Sequence, residues 1–323
     1  MIATLIRAGL ISVGVMAFVP FALILSEWPA GSQAEAAAKG LDFSVLSPGP
    51  DMPLPEPVIM RDGYPLHLRS YQNGEGPLVV MVHGSGWNGL QYAKLAPQIA
   101  GHVLVPDLRG HGAAPGRRGD LDHIGQLEED LADLIEAKAV PGQKVVLLGH
   151  SSGGGLVVRF AGGRYGAMLD RAVLLAPFLK YNAPTTRKNS GGWARPLTRR
   201  IIALSMLNAV GVSGLNHLTA IEFNLPQTVL EGPVGHMATR AYSYRLNTSY
   251  APRDEYMEDI KALPEFLVIA GENDEAFFAD GYEPLMSKVT DLGTYRLVPN
   301  VGHLAIVDAP ATALAVKEFL GGI

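Results

Sequence analysis

No cysteine occurs anywhere in the 323 residues. That absence excludes a disulfide framework, a thiol nucleophile, a cysteine-ligated metal site and a lipid-modified N-terminal cysteine. It names no compartment, because reducing and oxidising surroundings both tolerate a cysteine-free chain. A basic excess is missing too: 26 Lys and Arg stand against 31 Asp and Glu, for a net charge of −5. The chain therefore carries no electrostatic footprint for a phosphate backbone, and nucleic acid is not an expected partner. No set of residues with metal-ligand spacing stands out, and no metal or cofactor is expected. With 48% apolar residues the chain is not of disordered composition, and it is long enough to bury one large core or a core with a sub-domain.

What is present begins with Arg7, which precedes an uncharged run from Ala8 to Leu25 broken only by Pro20 and ended by Ser26, Glu27 and Trp28. About eighteen residues lies at the lower edge of a spanning helix and above the usual core of a signal peptide, and Trp28 suits the interface beyond it. Residues 1–30 thus read as a membrane anchor helix or a signal peptide. Small residues at Ser32 and Ala34, or Ala34 and Ala36, offer a cleavage site for the second. Either reading exports the rest of the chain, tethered to the membrane if the segment stays and secreted or periplasmic if it goes; a buried core helix is the plain alternative. Residues 31–57, which include SPGPDMPLPEP, read as an extended linker that packs little, so that the folded domain starts near Val58.

From there short β-rich runs alternate with helical patterns. The strand candidates are Leu66 to Tyr71, Leu78 to Val82, Val103 to Val105, Val145 to Leu148, Ala172 to Leu175, Phe266 to Ala270 and Tyr295 to Val298. Several are apolar throughout, as strands covered on both faces are. Helical spacing marks Leu121 to Ala137, a stretch from Gly154 to Tyr165, and Ala311 to Leu320. This alternation predicts an α/β fold with a doubly wound, mostly parallel sheet made of residues 58–178 and 264–323. Residues 179–263 interrupt it. An insertion of that length at the carboxyl end of a strand should be a sub-domain over the crevice where such sheets bind ligands, and is expected to be a mainly helical lid.

The motif that carries chemistry is Gly149-His150-Ser151-Ser152-Gly153, directly after one strand candidate and directly before a helical stretch. A strand turning sharply into a helix holds one side chain clear of the sheet, and here that residue is Ser151. A serine hydroxyl is a weak nucleophile and needs a base, an orienting acid and donors for the oxyanion. His303, in Asn300-Val301-Gly302-His303, follows the last strand at the same sheet edge and is the candidate base. No other histidine has this position. Gly271-Glu272-Asn273-Asp274-Glu275 closes another strand, and Asp274 is the candidate acid because the chain order Ser, acid, His is then kept. Glu272, Glu275 and Asp280 remain alternatives, otherwise read as solvated loop charges. The backbone N–H of Ser152 supplies one oxyanion donor, and that of Ser85, in His83-Gly84-Ser85-Gly86, is expected to supply the second.

Together these residues resemble the α/β-hydrolase superfamily over essentially all of the chain from Val58 onward. HGSG, Pro106-Asp107-Leu108-Arg109-Gly110-His111-Gly112, GHSSGG, GEND and VGH look like the branch of monoacylglycerol lipases, lysophospholipases and related serine esterases or aminopeptidases. PDLRGHG is shared with epoxide hydrolases and haloalkane dehalogenases, which place Asp where Ser151 stands. In the resemblance Asp107 and the glycines after it form a structural turn.

The function this implies is hydrolysis of a small-molecule carboxylic ester or lipid through an acyl-enzyme on Ser151. An aminopeptidase, amidase or perhydrolase would use the same triad, and a catalytically silent binding protein at the membrane is the alternative from another class. Between Asp170 and Glu222, Arg171, Lys180, Arg187, Lys188, Arg195, Arg199 and Arg200 fall in a stretch without acids, beside an apolar one from Ile201 to Leu215. This reads as a solvated basic helix beside a core helix, or else as a lid that admits an acyl chain or, with the N-terminal helix, contacts an anionic membrane surface.

Overall fold

The computed structural model describes residues 18–30, 41–43 and 52–322. In chain order its strands are β1 (Glu56–Ile59), β2 (Pro65–Asn73), β3 (Leu78–Val82), β4 (Gly101–Pro106), β5 (Val145–His150), β6 (Arg171–Leu175), β7 (Ala194–Pro196), β8 (Thr219–Phe223), β9 (Ala241–Ser243), β10 (Phe266–Gly271) and β11 (Gly293–Val298). All seven strand candidates are among them. The uninterrupted apolar runs become the centre of the sheet, with β3, β5 and β10 buried at every residue.

Eight strands form one sheet in the order β1-β2-β4-β3-β5-β6-β10-β11. β2 runs antiparallel to both of its neighbours, and every pair from β4 to β11 is parallel. Because β3, β5, β10 and β11 point the same way, the loops after them converge on one edge, and that edge carries Ser85, Ser151, Asp274 and His303. The main helices against the sheet are α1 (Gln126–Lys138), α2 (Ser152–Ala161) and, after α3 (Thr198–Ala209) in the insertion, the terminal α4 (Pro310–Leu320). α1 starts five residues later than its periodicity suggested. Gly125 sits ahead of it with φ 98°, a left-handed conformation that the interior of a right-handed helix excludes.

The insertion between β6 and β10 has more helix than strand, as expected, but it also holds strands that the sequence did not suggest. Besides α3 and shorter helical turns it contains an antiparallel sheet, β7-β8-β9. β7 and β9 are three residues long, too short to write a period into the sequence. The cations that the membrane reading sets against lipid are mostly paired inside the protein instead. Arg171 meets Glu265, Lys180 meets Asp254 and Arg195 meets Glu222. Arg187 donates to the carbonyls of Asp274 and Phe277, and Arg200 is buried against the Glu27 carbonyl.

The linker expectation also needs correction. Glu56 and Pro57 already belong to β1, paired with Leu68 and His67. Leu41 is only 7% exposed within the main core, and the Phe43 ring centroid lies 5.2 Å from that of Trp193. Two large apolar residues suffice to dock a segment whose average composition is that of a spacer. Residues 31–40 and 44–51, with the proposed cleavage sites, lie outside the described residues.

Residues 18–25 are helical, and Ile24 packs with Ala203, Leu204 and Leu207 of α3. Residues 8–17 of the apolar run are outside the described residues. Among the described ones, no helix is long and apolar enough to cross a membrane.

Candidate active site

The strand-to-helix turn after β5 is built by steric necessity. A Cβ on Gly153 would stand 2.2 Å from the Val82 carbonyl oxygen, and one on Gly149 would stand 2.4 Å from that of Gly153, so only glycine fits either side of the turn. Ser151 between them adopts φ 56° and ψ −122°, a conformation that costs on the order of 1–3 kcal/mol and must be held by its surroundings. They do hold it: the Ser151 N–H donates to the Leu175 carbonyl at 2.9 Å, and the Phe178 N–H donates to the Ser151 carbonyl at 2.9 Å.

The structure brings all the sequence-nominated residues together. His303 Nε2 lies 3.0 Å from Ser151 Oγ, and His303 Nδ1 lies 2.8 Å from Asp274 Oδ2. Asp274 and His303 are each 2% exposed. The other carboxylate oxygen, Asp274 Oδ1, accepts the N–H groups of Ala276 at 2.8 Å and Phe277 at 2.7 Å. Burial pushes the Asp274 carboxyl up, but His303 and these two N–H donors outweigh it and hold the group below the usual carboxylate range. An ionised acid fixes the proton of His303 on Nδ1 and leaves Nε2 as an acceptor facing the serine.

Ser85 and Ser152 meet across the strand ends, where the Ser85 hydroxyl donates to Ser152 Oγ at 2.6 Å. The N–H groups flanking Ser85 are committed: Gly84 donates to Gln91 Oε1 at 3.0 Å and Gly86 to the Tyr242 hydroxyl at 2.7 Å. Ser85, between them, lines with Ser151 and His303 a pocket of about 590 Å³, open space at its mouth included. Its apolar wall includes Leu41, Trp87, Trp193, Leu225 and Val307.

Several supporting residues left no trace in the sequence. Glu275 accepts the His303 N–H at 2.7 Å and so seats that histidine, whereas Glu272 and Asp280 are solvent-exposed as read. Tyr242 and Tyr250, both from the insertion, are fully buried against the loop after β3. Tyr242 reaches Gly86 and the Nε2 of His111 at 2.6 Å, and the Tyr250 hydroxyl donates to the His83 carbonyl. Asp107 accepts the Gly89 N–H at 2.8 Å and meets Arg69.

His83, His111 and His150 are buried and neutral beside this site. Burial lowers His83 to about 4, burial and then His303 lower His150 to about 3, and burial lowers His111 in the same sense. As pH falls below the ordinary histidine value near 6.5, the unfolded chain takes up protons that the folded chain refuses, so stability falls with pH from there down. Three such groups together should cost on the order of 5 kcal/mol between pH 7 and pH 5. Urea midpoints at the two values check this, and a midpoint that holds or rises at pH 5 refutes it.

The sequence profile of the alpha/beta hydrolase family matches residues 79–316. The chain belongs to that family. An uncharacterized protein of Mycobacterium tuberculosis is 33% identical over 108 residues, which is 32% of this chain and 30% of that protein. The chain thus matches less than a third of the length of such curated relatives.

Among solved structures, a soluble variant of monoglyceride lipase from Saccharomyces cerevisiae aligns with TM-score 0.62 and 16% identity over 85% of this chain and 99% of that one. A putative aryl esterase from Burkholderia cenocepacia aligns with TM-score 0.59 and 18% identity over 83% and 98%. At such identities the likeness is one of fold.

Proposed function

We propose that this protein hydrolyses carboxylic esters through an acyl-enzyme on Ser151. The observation that carries the reading is the continuous chain Asp274–His303–Ser151 opening into an apolar pocket that Ser85 also lines, and the N–H groups of Ser85 and Ser152 are assigned to the oxyanion. In the first half-reaction His303 Nε2 takes the Ser151 proton as Oγ attacks the ester carbonyl. The oxyanion is met by the two N–H groups, and His303 returns the proton to the departing alcohol. Water then repeats the sequence against the acyl-serine, and the acid leaves. Asp274 stays ionised and stabilises the imidazolium.

The esterase and monoglyceride lipase neighbours share the fold and suit this reading. An aminopeptidase needs an acid to receive the substrate amine. Of the acids in the first part of the insertion, Glu222 meets Arg195 and the Ala30 N–H and Glu231 accepts from Gln227, while Asp308, the acid that lines the pocket, is ion-paired with Lys94. The reading is tested with p-nitrophenyl esters of increasing acyl length and aminoacyl p-nitroanilides. Ester turnover with a single fluorophosphonate adduct on Ser151 is expected. Anilide turnover in place of ester turnover, or no adduct, sinks it.

Export and membrane attachment belong to the same proposal. Phe18, Phe21, Leu25 and Trp28 face solvent, as do Ile202, Met206, Val210 and Val212 on and just after α3. Two packed segments with apolar outer sides suit a bilayer surface. Co-flotation of the full chain with lipid vesicles is expected, and its absence would remove this part of the reading.

A further inference from the structure

We infer that the N-terminal segment is a working part of the substrate pocket, with Leu41 and Phe43 setting which acyl chains it accepts. This rests on the esterase reading above. Leu41 and Phe43 both line the pocket that Ser151 and His303 open into, although they stand 110 and 108 residues before the nucleophile and outside the α/β core.

Each is held by the insertion or the core. Leu41 is 7% exposed within the main core cluster. Phe43 packs at 5.2 Å on Trp193, itself stacked on Phe223 at 5.3 Å, which meets Tyr242 edge-on at 4.7 Å. Tyr242 in turn holds the Gly86 N–H beside Ser85. The aromatic stack therefore runs from the N-terminal segment to the oxyanion loop, and Phe43 is its outermost member.

The segment is fastened upstream as well. Ile24 is 8% exposed against α3, Arg200 Nη2 donates to the Glu27 carbonyl at 2.8 Å, and the Ala30 N–H donates to Glu222 Oε2 at 3.0 Å. Residues 18–30 thus bind the insertion at one place and residues 41–43 at another. The geometry makes residues 41–43 a strap against the insertion whose side chains form pocket wall.

Apolar wall sets chain-length preference because each methylene that finds a dry seat raises kcat/KM about fourfold, and one that meets a wall gains nothing. In the full-length chain, Phe43→Ala should move the p-nitrophenyl ester optimum to longer acyl chains, with about a fourfold gain per added methylene where the wild type has levelled off. Phe43→Trp should move it to shorter ones. Rates are normalised to the serine titrated by a small fluorophosphonate, so misfolded protein does not count.

Alkyl fluorophosphonates of rising chain length give the same ranking by labelling rate without any ester being turned over. Opposite shifts in the two variants support the strap. An unchanged chain-length profile in both, with wild-type activity intact, overturns it. A wild type that labels on Ser151 but hydrolyses no ester fails the esterase reading instead, and the labelling-rate profile still decides the strap.

Discussion

Ser151→Ala is expected to lower kcat for the best p-nitrophenyl ester on the order of 10⁶-fold. The size of the loss follows from how the site is built. His303 Nε2 has one protein partner on the substrate side, Ser151 Oγ at 3.0 Å. Without that oxygen no acyl-enzyme forms and the base can only activate water from a position evolved for another step. The oxyanion donors are backbone groups and survive the change, so a residual rate above the uncatalysed one should remain. The fold should survive too, because the strained turn is held by the Leu175 and Phe178 backbone bonds rather than by the hydroxyl. Steady-state kinetics with circular dichroism as a control measures this. A variant that keeps more than a hundredth of the wild-type rate would place the nucleophile elsewhere.

Asp274→Asn should lower kcat by about 10⁴-fold with little change in KM. The two are nearly the same shape, so Oδ1 can go on accepting the Ala276 and Phe277 N–H groups. What changes is the other atom. An amide NH₂ beside His303 Nδ1 donates where the carboxylate accepted, which forces the imidazole proton onto Nε2. The nitrogen facing Ser151 then carries a hydrogen and cannot take another. Labelling by a fluorophosphonate should slow in parallel with turnover, since both begin with loss of the serine proton. Equal labelling rates for wild type and variant would mean that Asp274 is structural and that Glu275 or another acid orients the base.

These residues were legible because each lies next to its own strand end, and a strand end is a local event. An apolar run that stops at Gly-His-Ser-Ser-Gly predicts an elbow without knowledge of anything distant, and parallel strands place His303 and Asp274 at the same edge. The chain order Ser, acid, His holds for Glu275 as well as for Asp274 and does not choose between them. The structure gives a reason, since Asp274 is 2% exposed and bonded to Nδ1 while Glu275 holds the backbone of the same histidine.

What was not legible depends on partners far away in the chain. Nothing around Tyr242 announces that its hydroxyl meets an N–H 156 residues earlier. Arg195 and Arg200 look like a basic surface until Glu222 and the Glu27 carbonyl are seen against them. Leu41 and Phe43 sit in a stretch whose average says spacer, and burial is decided by individual residues.

The grip of Tyr242 and Tyr250 on the loop after β3 has a mechanical consequence. The same loop presents the Ser85 N–H, so the roof over the crevice and the cradle for the oxyanion are one piece. A roof that swung away as a rigid body would have to break both tyrosine contacts and the Thr239 N–H bond to the Gly86 carbonyl, and would drag the cradle out of register as it went. Entry and exit that leave the roof in place would then need only small movements of wall side chains such as Trp193 and Phe43. On the proposed mechanism, the N–H donors assigned to Ser85 and Ser152 would then keep their places while substrate comes and goes, and no electrostatic rebuilding would be needed at each turnover.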